Sequence, residues 1–400
     1  MRKWWFVLLS VIFICCFSGK LIGAPVVNGR GAILIDLQSG QVLWGKNEKE
    51  AYAPASITKI LTAIMAIESN KLEEVVTISE QPPLLEGTRV YLEEGEQVTL
   101  LDLVKVTMIH SANDAALAIA EHLAGSEAKF AELMNQKAQE LGALNTNFVN
   151  AHGLSAEGHY TTAYDQAVIT RYALQNPLFR EIVQTKVLPW QGKAWQTNLI
   201  NKNELLWSYE GAMGVKTGYT SEAKSTIVAA AERNGQSFLA VVLGSVGKEM
   251  WTDAQGLLDY GFQNFQTMQL VEPEEIVATL DFTPRKKLEV IAEKGCLFSL
   301  PQGGNQKVES QLVLLPLGKS VAQGEIVGKM IYQVNGETVG TVNLLAKESV
   351  RAWNFKQIGI SAFAALYLVQ ILWRFTRQWR FKRSRRWFAS SRPRRYQQHL

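Results

Sequence analysis

The stretch PASITKILTA, residues 54–63, places a serine and a lysine three positions apart at the start of an apolar, helix-forming run. If a helix runs from about Ser56 to Ser69, Lys59 shares a face with Ser56 and lies within reach of its hydroxyl. A buried lysine near another cation loses its proton more easily and then serves as a base. The spacing alone is weak, because Ser221–Lys224 and Ser245–Lys248 repeat it. Two interpretations are open at this point: Ser56 and Lys59 are a nucleophile and its base, or they are part of an ordinary helix start.

The N-terminal 24 residues have the layout of a secretory signal peptide. Arg2 and Lys3 precede an apolar run, and small residues end the segment at Ala24. This pattern predicts cleavage after Ala24; an uncleaved membrane anchor is the alternative, and both imply export. Removal of the segment leaves Cys296 as the single cysteine, so no internal disulfide is expected in the body.

The charge of the chain is divided between an acidic body and a basic tail. The whole chain is +4, but the fifty residues from Arg351 onward carry twelve Lys and Arg residues and no acid. Residues 1–350 therefore sum to −8. An acidic body disfavours nucleic acid as a partner.

The C-terminal residues 351–400 predict a membrane anchor followed by a basic tail. The sixteen residues 358–373 carry no charge, and the apolar stretch extends back to about residue 355. That length approaches the ~20 residues of a membrane-spanning helix, and an amphipathic helix lying flat on the outer face is the alternative. The basic cluster that follows predicts a cytoplasmic tail, which places the body on the extracytoplasmic face of the cell membrane.

Residues 25–268 predict one α+β domain. A hairpin at residues 31–47 opens the domain, several amphipathic helices follow, and two apolar runs around Gly235 form a second hairpin before a closing helix. Strands at both ends with helices between them imply that the terminal strands share one antiparallel sheet, with the helices around it.

Residues 269–350 predict a small all-β, sandwich-like domain. Short alternating runs are separated there by Gly, Pro and Asn, and Asn335-Gly336 is a strong two-residue hairpin signal.

Two further motifs change the interpretation of Ser56 and Lys59. Ser111-Ala112-Asn113 is the only Ser-x-Asn in the chain and lies in the joint between two apolar helices, where side chains can point into a cleft. Lys216-Thr217-Gly218 occurs once, at the start of the second hairpin, where a glycine on an edge strand permits close approach of another backbone. The three elements together are a specific combination, and they resemble the motif set of the penicillin-recognising enzymes.

With these motifs the chain resembles the serine D-Ala-D-Ala carboxypeptidases, the low-molecular-mass penicillin-binding proteins, over nearly its whole length. Such an enzyme removes the terminal D-Ala from peptidoglycan stem peptides through an acyl-enzyme, and β-lactams inhibit it covalently. The resemblance implies that Ser56 is the nucleophile, Lys59 the general base and Ser111 a proton relay. It also implies that the substrate is bound by the remaining motif residues and their neighbour, namely Asn113, Lys216, Thr217, Gly218 and Tyr219.

Two departures from the family pattern stand out. Lys224 occupies a place where relatives usually have glycine, and Lys248 or a neighbour must replace an arginine that helps to bind the substrate carboxylate. Lysine offers a point charge where arginine offers a bidentate fork, so weaker carboxylate affinity is expected.

Three alternatives remain on the same sequence: a DD-endopeptidase or transpeptidase, a β-lactamase, and a catalytically silent wall-binding protein. A β-lactamase needs a glutamate that primes a deacylating water, and no Glu-x-x-Leu-Asn stretch lies between Ser111 and Lys216. The histidines lack metal-ligand spacing and no phosphate loop is present, so the sequence predicts neither a metal nor a cofactor.

Overall fold

The computed structural model describes residues 10–16, 23–284, 286–303, 305–351 and 365–374. The chain divides into two compact units. The first comprises Met1–Glu275, Ala292–Val313 and Lys329–Asn343, and the second comprises Ile276–Ile291, Leu314–Gly328 and Leu344–Leu400.

The helices lie mainly between residues 55 and 264. Two short 3-10 helices span Ala55–Thr58 and Pro82–Leu84. The α-helices are α1 Lys59–Glu68, α2 Leu100–Ile109, α3 Asn113–Ala124, α4 Glu127–Leu141, α5 Ala163–Ala173, α6 Pro177–Gln184, α7 Leu205–Ser208 and α8 Glu249–Asn264. Residues 365–374 form a further helix.

The strands divide into an N-terminal group around the helices and a C-terminal group after α8. The first group is β1 Ser10–Cys16, β2 Gly31–Asp36, β3 Val42–Lys46, β4 Val75–Thr77, β5 Gln97–Thr99, β6 Val187–Gln191, β7 Gln196–Ile200, β8 Ala212–Thr220, β9 Lys224–Arg233 and β10 Gln236–Ser245. The second is β11 Phe265–Val271, β12 Ile276–Thr283, β13 Lys286–Ala292, β14 Cys296–Pro301, β15 Asn305–Leu314, β16 Ser320–Val321, β17 Ile326–Val334, β18 Glu337–Ala346 and β19 Val350–Arg351.

A five-stranded antiparallel sheet organises the N-terminal group, in the order β3-β2-β10-β9-β8. β2 is buried along its whole length because both faces of the sheet are covered. Ile33 and Ile35 point into the core formed with α1, α2, α3 and α5, while Ala32 and Leu34 face the core formed with α8. This arrangement confirms the prediction that strands from both ends of the segment share one sheet. β8 is the last strand in that order and forms an edge.

The strands after α8 confirm the prediction of an all-β C-terminal region. One six-stranded sheet has the order β1-β15-β17-β18-β13-β12, and β11–β14 and β16–β19 form two-stranded ribbons. Asn335 and Gly336 join β17 to β18 with φ of 51° and 87°, the left-handed pair that a tight two-residue hairpin requires.

The predicted terminal segments are only partly described. Residues 10–16, inside the predicted signal peptide, form β1 and pair with β15. Of the predicted anchor at about 355–373, residues 355–364 lie outside the described residues, while residues 365–374 form an exposed helix. Within the described ranges no helix is both long and apolar enough to span a membrane. Signal peptide and membrane span therefore stay predictions.

Candidate active site

Ser56 lies on the 3-10 helix Ala55–Thr58, directly before α1, and not on the α-helix that the sequence predicted. A 3-10 helix has three residues per turn, so residues i and i+3 eclipse. Lys59 Nζ accordingly lies 3.0 Å from Ser56 Oγ. Ala55, which precedes the serine, has φ 52°, a left-handed value that is uncommon for a residue with a side chain. The 3-10 geometry thus strengthens the argument that Lys59, three residues after Ser56, reaches the serine hydroxyl.

Lys59 is completely buried and lies within hydrogen-bond distance of three oxygen atoms. Its Nζ is 2.7 Å from Asn113 Oδ1 and 2.5 Å from the carbonyl oxygen of His152, in addition to Ser56 Oγ. Burial lowers the pKa of Lys59 well below its ordinary value, and the charge of Lys216 lowers it further. A neutral amine beside the serine hydroxyl is the form that accepts a proton.

Ser111 and Asn113 lie where the sequence predicted, at the joint between α2 and α3. Both are buried, and Ser111 has φ 71°. Asn113 Nδ2 donates to the carbonyl of Glu86 at 2.7 Å, so its amide is held between that loop and Lys59. The structure brings Asn113 into direct contact with Lys59; the hydrogen bonds of the described residues include none from the Ser111 hydroxyl.

The edge strand β8 contains the third motif, Lys216-Thr217-Gly218, and packs closely against the backbone of Ser56. A Cβ added to Gly218 would lie 2.7 Å from the backbone N of Ser56 and 2.6 Å from Thr226 Oγ1, so only glycine fits there. Tyr219, the next residue, is 68% exposed at the end of the strand. The backbone of β8 at Gly218 therefore lies directly against the backbone N of Ser56.

Lys216 is buried in β8 and donates from Nζ to the carbonyl of Thr217 at 2.8 Å. Burial lowers its pKa to about 7, with a further contribution from the charge of Lys202. The structure thus supplies a second ammonium whose charge acts on Lys59.

Lys202 was not predicted as a site residue. Its Nζ lies 3.3 Å from Thr88 Oγ1, and burial lowers its pKa. Its charge also lowers the pKa values of Lys59 and Lys216, which places it on the same electropositive side of the site. The signal available in the sequence is a lysine between two asparagines, Asn201 and Asn203.

The loop at residues 150–154 packs against both the base and the nucleophile. Besides the contact of the His152 carbonyl with Lys59, a Cβ on Gly153 would lie 1.9 Å from the carbonyl oxygen of Ala55. Asn150 braces the turn, because its Oδ1 accepts from Gly153 N at 2.7 Å and its Nδ2 donates to Leu154 O at 2.9 Å.

An open groove of about 530 Å³ lies beyond this loop, lined by residues 51–53, 155–160 and Glu222. At its border the Ser155 hydroxyl bonds the hydroxyl of Thr220, the last residue of β8, at 3.3 Å.

Comparisons with known proteins agree with this geometry. A family model described as D-alanyl-D-alanine carboxypeptidase matches residues 20–247, and one described as penicillin-binding protein 5, C-terminal domain, matches residues 265–352. The chain is 31% identical over 358 residues to the D-alanyl-D-alanine carboxypeptidase DacF of Bacillus subtilis, covering 84% of this chain and 90% of that protein. It is 32% identical over 363 residues to DacC of Escherichia coli, covering 84% and 89%.

Solved structures show the same fold. Penicillin-binding protein 5 from Haemophilus influenzae superposes with a TM-score of 0.74 at 27% identity, over 82% of this chain and 99% of that one. Penicillin-binding protein 6B from Escherichia coli superposes with a TM-score of 0.65 at 28% identity, over 82% and 100%.

Proposed function

The chain belongs to the D-alanyl-D-alanine carboxypeptidase family, and from this premise we propose that Ser56 is its acylated nucleophile. The protein is a serine-type DD-carboxypeptidase, of a family that acts on peptidoglycan D-Ala-D-Ala stem peptides and binds β-lactams. Ser56 Oγ attacks the carbonyl of the penultimate D-Ala, the terminal D-Ala leaves as its amine, and water then hydrolyses the ester.

Lys59 is the general base in this proposal. The observation that carries it is the 3.0 Å contact between Lys59 Nζ and Ser56 Oγ, made by a completely buried amine. Because burial and the charge of Lys216 lower the pKa of Lys59, the neutral amine is favoured, and this form takes the serine proton as the acyl bond forms. Lys59 then gives up this proton through Ser111, whose hydroxyl relays it to the leaving amine.

The substrate is bound along the edge of β8. Lys216 and Thr217 bind the terminal carboxylate, and the charge of Lys202 adds to the field that attracts it. The backbone N–H groups of Ser56 and Tyr219 donate to the developing oxyanion, for which the close approach at Gly218 leaves room. Asn113 holds the peptide amide of the substrate and, at the same time, one N–H of Lys59.

The first departure from the family pattern has a structural counterpart. Lys224 opens β9 with φ 57°, a conformation that favours the glycine found in relatives. The second departure concerns Lys248, which is exposed and precedes α8. We retain the expectation that lysine in place of arginine weakens carboxylate affinity.

The proposed location is the extracytoplasmic face of the cell membrane, after export directed by residues 1–24. The helix at 365–374 supports a membrane anchor, because Leu366, Tyr367, Leu368 and Trp373 are each about 60% exposed there. A chain ended after residue 350 should be released from cells, whereas the full chain sediments with membranes. A tag after Leu400 is protected from external protease if the segment spans the membrane, and is cut if the helix lies flat.

The enzymatic proposal is tested with the full chain in detergent, a fluorescent penicillin and a D-Ala-D-Ala peptide. A stable adduct with release of D-Ala is expected. Ser56→Ala should remove both, while Ser221→Ala, from a chance repeat of the same spacing, should leave both unchanged. Rapid turnover of the antibiotic would instead indicate a β-lactamase, and a wild-type chain without an adduct would refute the assignment of Ser56.

A further inference from the structure

The contacts of Lys59 include one group that no side-chain motif encodes, the backbone carbonyl of His152. A neutral lysine amine has two N–H donors and one lone pair. When its hydrogens go to Asn113 Oδ1 and His152 O, the lone pair remains for the Ser56 hydroxyl. The His152 carbonyl therefore helps to set the direction in which Lys59 accepts the proton.

Glu127 holds the segment that carries this carbonyl. Its Oε1 accepts from the backbone N of Ala151 at 3.1 Å and lies 3.1 Å from His152 Nε2. Glu127 is the first residue of α4, whose Ser126 N-cap and core residue Phe130 fix the helix. One carboxylate oxygen thus ties two consecutive residues of the loop to a rigid element.

The hydrogen bonds also define the protonation of the pair. His152 Nδ1 accepts from Leu154 N at 3.1 Å, so the ring proton lies on Nε2 and is donated to Glu127. Burial lowers the pKa of His152, which keeps the imidazole neutral at pH 7. Burial opposes ionisation of Glu127, but the interactions with His152 and the hydrogen bond from Ala151 N together outweigh it and lower the pKa of the carboxyl.

We propose that Glu127 is a positioning residue for acylation: by binding Ala151 and His152 it fixes the His152 carbonyl against Lys59 Nζ. The inference rests on the proposed function, since it requires Lys59 to be the base. Among the described residues, Glu127 forms no hydrogen bond or ion pair with Lys216 or Thr217. Its loss therefore affects the acylation step and leaves non-covalent binding of the substrate carboxylate intact.

The test compares Glu127→Ala, Glu127→Gln and Glu132→Ala in the full chain. Glu132 is an exposed glutamate on the same helix and is the matched control. A time course with fluorescent penicillin at several concentrations separates the non-covalent Kd from the acylation rate constant. We expect Glu127→Ala to lower the rate constant about tenfold or more, with Kd within about twofold. Glu127→Gln should stay within about threefold of wild type, because its amide oxygen still accepts both hydrogen bonds.

The end point of labelling separates positioning from misfolding. Misfolded molecules reduce the final adduct per chain, whereas a mispositioned carbonyl reduces the rate and leaves the end point at one per chain. If Glu127→Ala forms no measurable adduct, Glu127→Asp is tested in its place. The shorter side chain keeps the charge but cannot reach both donors, Ala151 N and His152 Nε2. The inference is overturned if Glu127→Ala, or Glu127→Asp where it is used instead, acylates at the wild-type rate. It is also overturned if Glu127→Gln acylates as slowly as that variant. Failure of wild type to label would refute the proposed function instead.

Discussion

Gly153 gives the sharpest single-residue prediction, because an added methyl group has nowhere to go. A Cβ at this position would lie 1.9 Å from the carbonyl oxygen of Ala55 and 2.4 Å from its carbonyl carbon. Real Cβ atoms stay beyond about 3 Å from such atoms, so the Ala55–Ser56 peptide must move by about 1 Å. That peptide carries the N–H that we assign to the oxyanion hole.

The expected effect follows from that displacement. A misplacement of about 1 Å costs about 10²-fold in rate, and loss of one oxyanion donor costs about 10²–10³-fold. Gly153→Ala should therefore acylate with penicillin about 10²–10³-fold more slowly than wild type. The assay is the time course of covalent labelling, with the unfolding temperature measured in parallel.

Gly158→Ala is the matched control for backbone strain. Gly153 and Gly158 have φ of 86° and 79°, so an alanine is strained at either position by about 1–2 kcal/mol. At Gly158, however, the nearest atom to an added Cβ is 3.7 Å away, which is ordinary contact. Gly158→Ala should lose stability through backbone strain alone, Gly153→Ala should lose more because of the added clash, and only Gly153→Ala should lose labelling rate. Equal labelling rates in the two would show that the 150–154 loop does not position the nucleophile.

Three further predictions concern the charge of Lys216, the hydrogen bonds of Asp253 and the backbone strain of Lys224. The pKa of Lys216 is lowered to about 7, and its amine binds a carboxylate only when it is charged. The affinity for the peptide should therefore fall as the pH rises above 7, towards about tenfold per pH unit. A peptide Kd measured with Ser56→Ala that does not change from pH 6 to 8.5 would contradict this. Asp253 accepts hydrogen bonds from the backbone N of Asn28 and Gly29, so Asp253→Ala should lower the free energy of unfolding by about 3 kcal/mol in a denaturant titration. Lys224→Gly should raise the unfolding temperature slightly, since relief of about 1–2 kcal/mol of left-handed strain exceeds the added chain entropy; an unchanged or lower temperature would count against that strain.

The elements that sequence patterns predicted well are those with strong local periodicity. The joint between α2 and α3 and the two hairpins of the central sheet lie where apolar spacing placed them. The start of the first helix was wrong in type, because apolar spacing does not distinguish one 3-10 turn from an α-helical turn over four residues.

The parts of the site that sequence did not predict act through the backbone or through long-range charge. The carbonyl of His152 has no side-chain signature, and Glu127 reaches it across 24 positions of sequence from Ala151. Lys202 is an ordinary lysine in the sequence; in the folded chain burial lowers its pKa, and its charge lowers the pKa values of Lys59 and Lys216. Only the folded chain brings these groups together.

The left-handed backbone conformations of Ala55 and Ser111 imply a trade-off between thermal stability and catalytic rate. Both are L-residues with positive φ directly beside the reacting groups, and such conformations persist only where the surrounding packing enforces them. Selection for thermotolerance would relieve this strain through glycine, which at Ala55 only frees the backbone but at Ser111 also removes the hydroxyl assigned as the proton relay. Every such gain would loosen the groups that carry out the chemistry, so hardier descendants of this enzyme are expected to be slower ones.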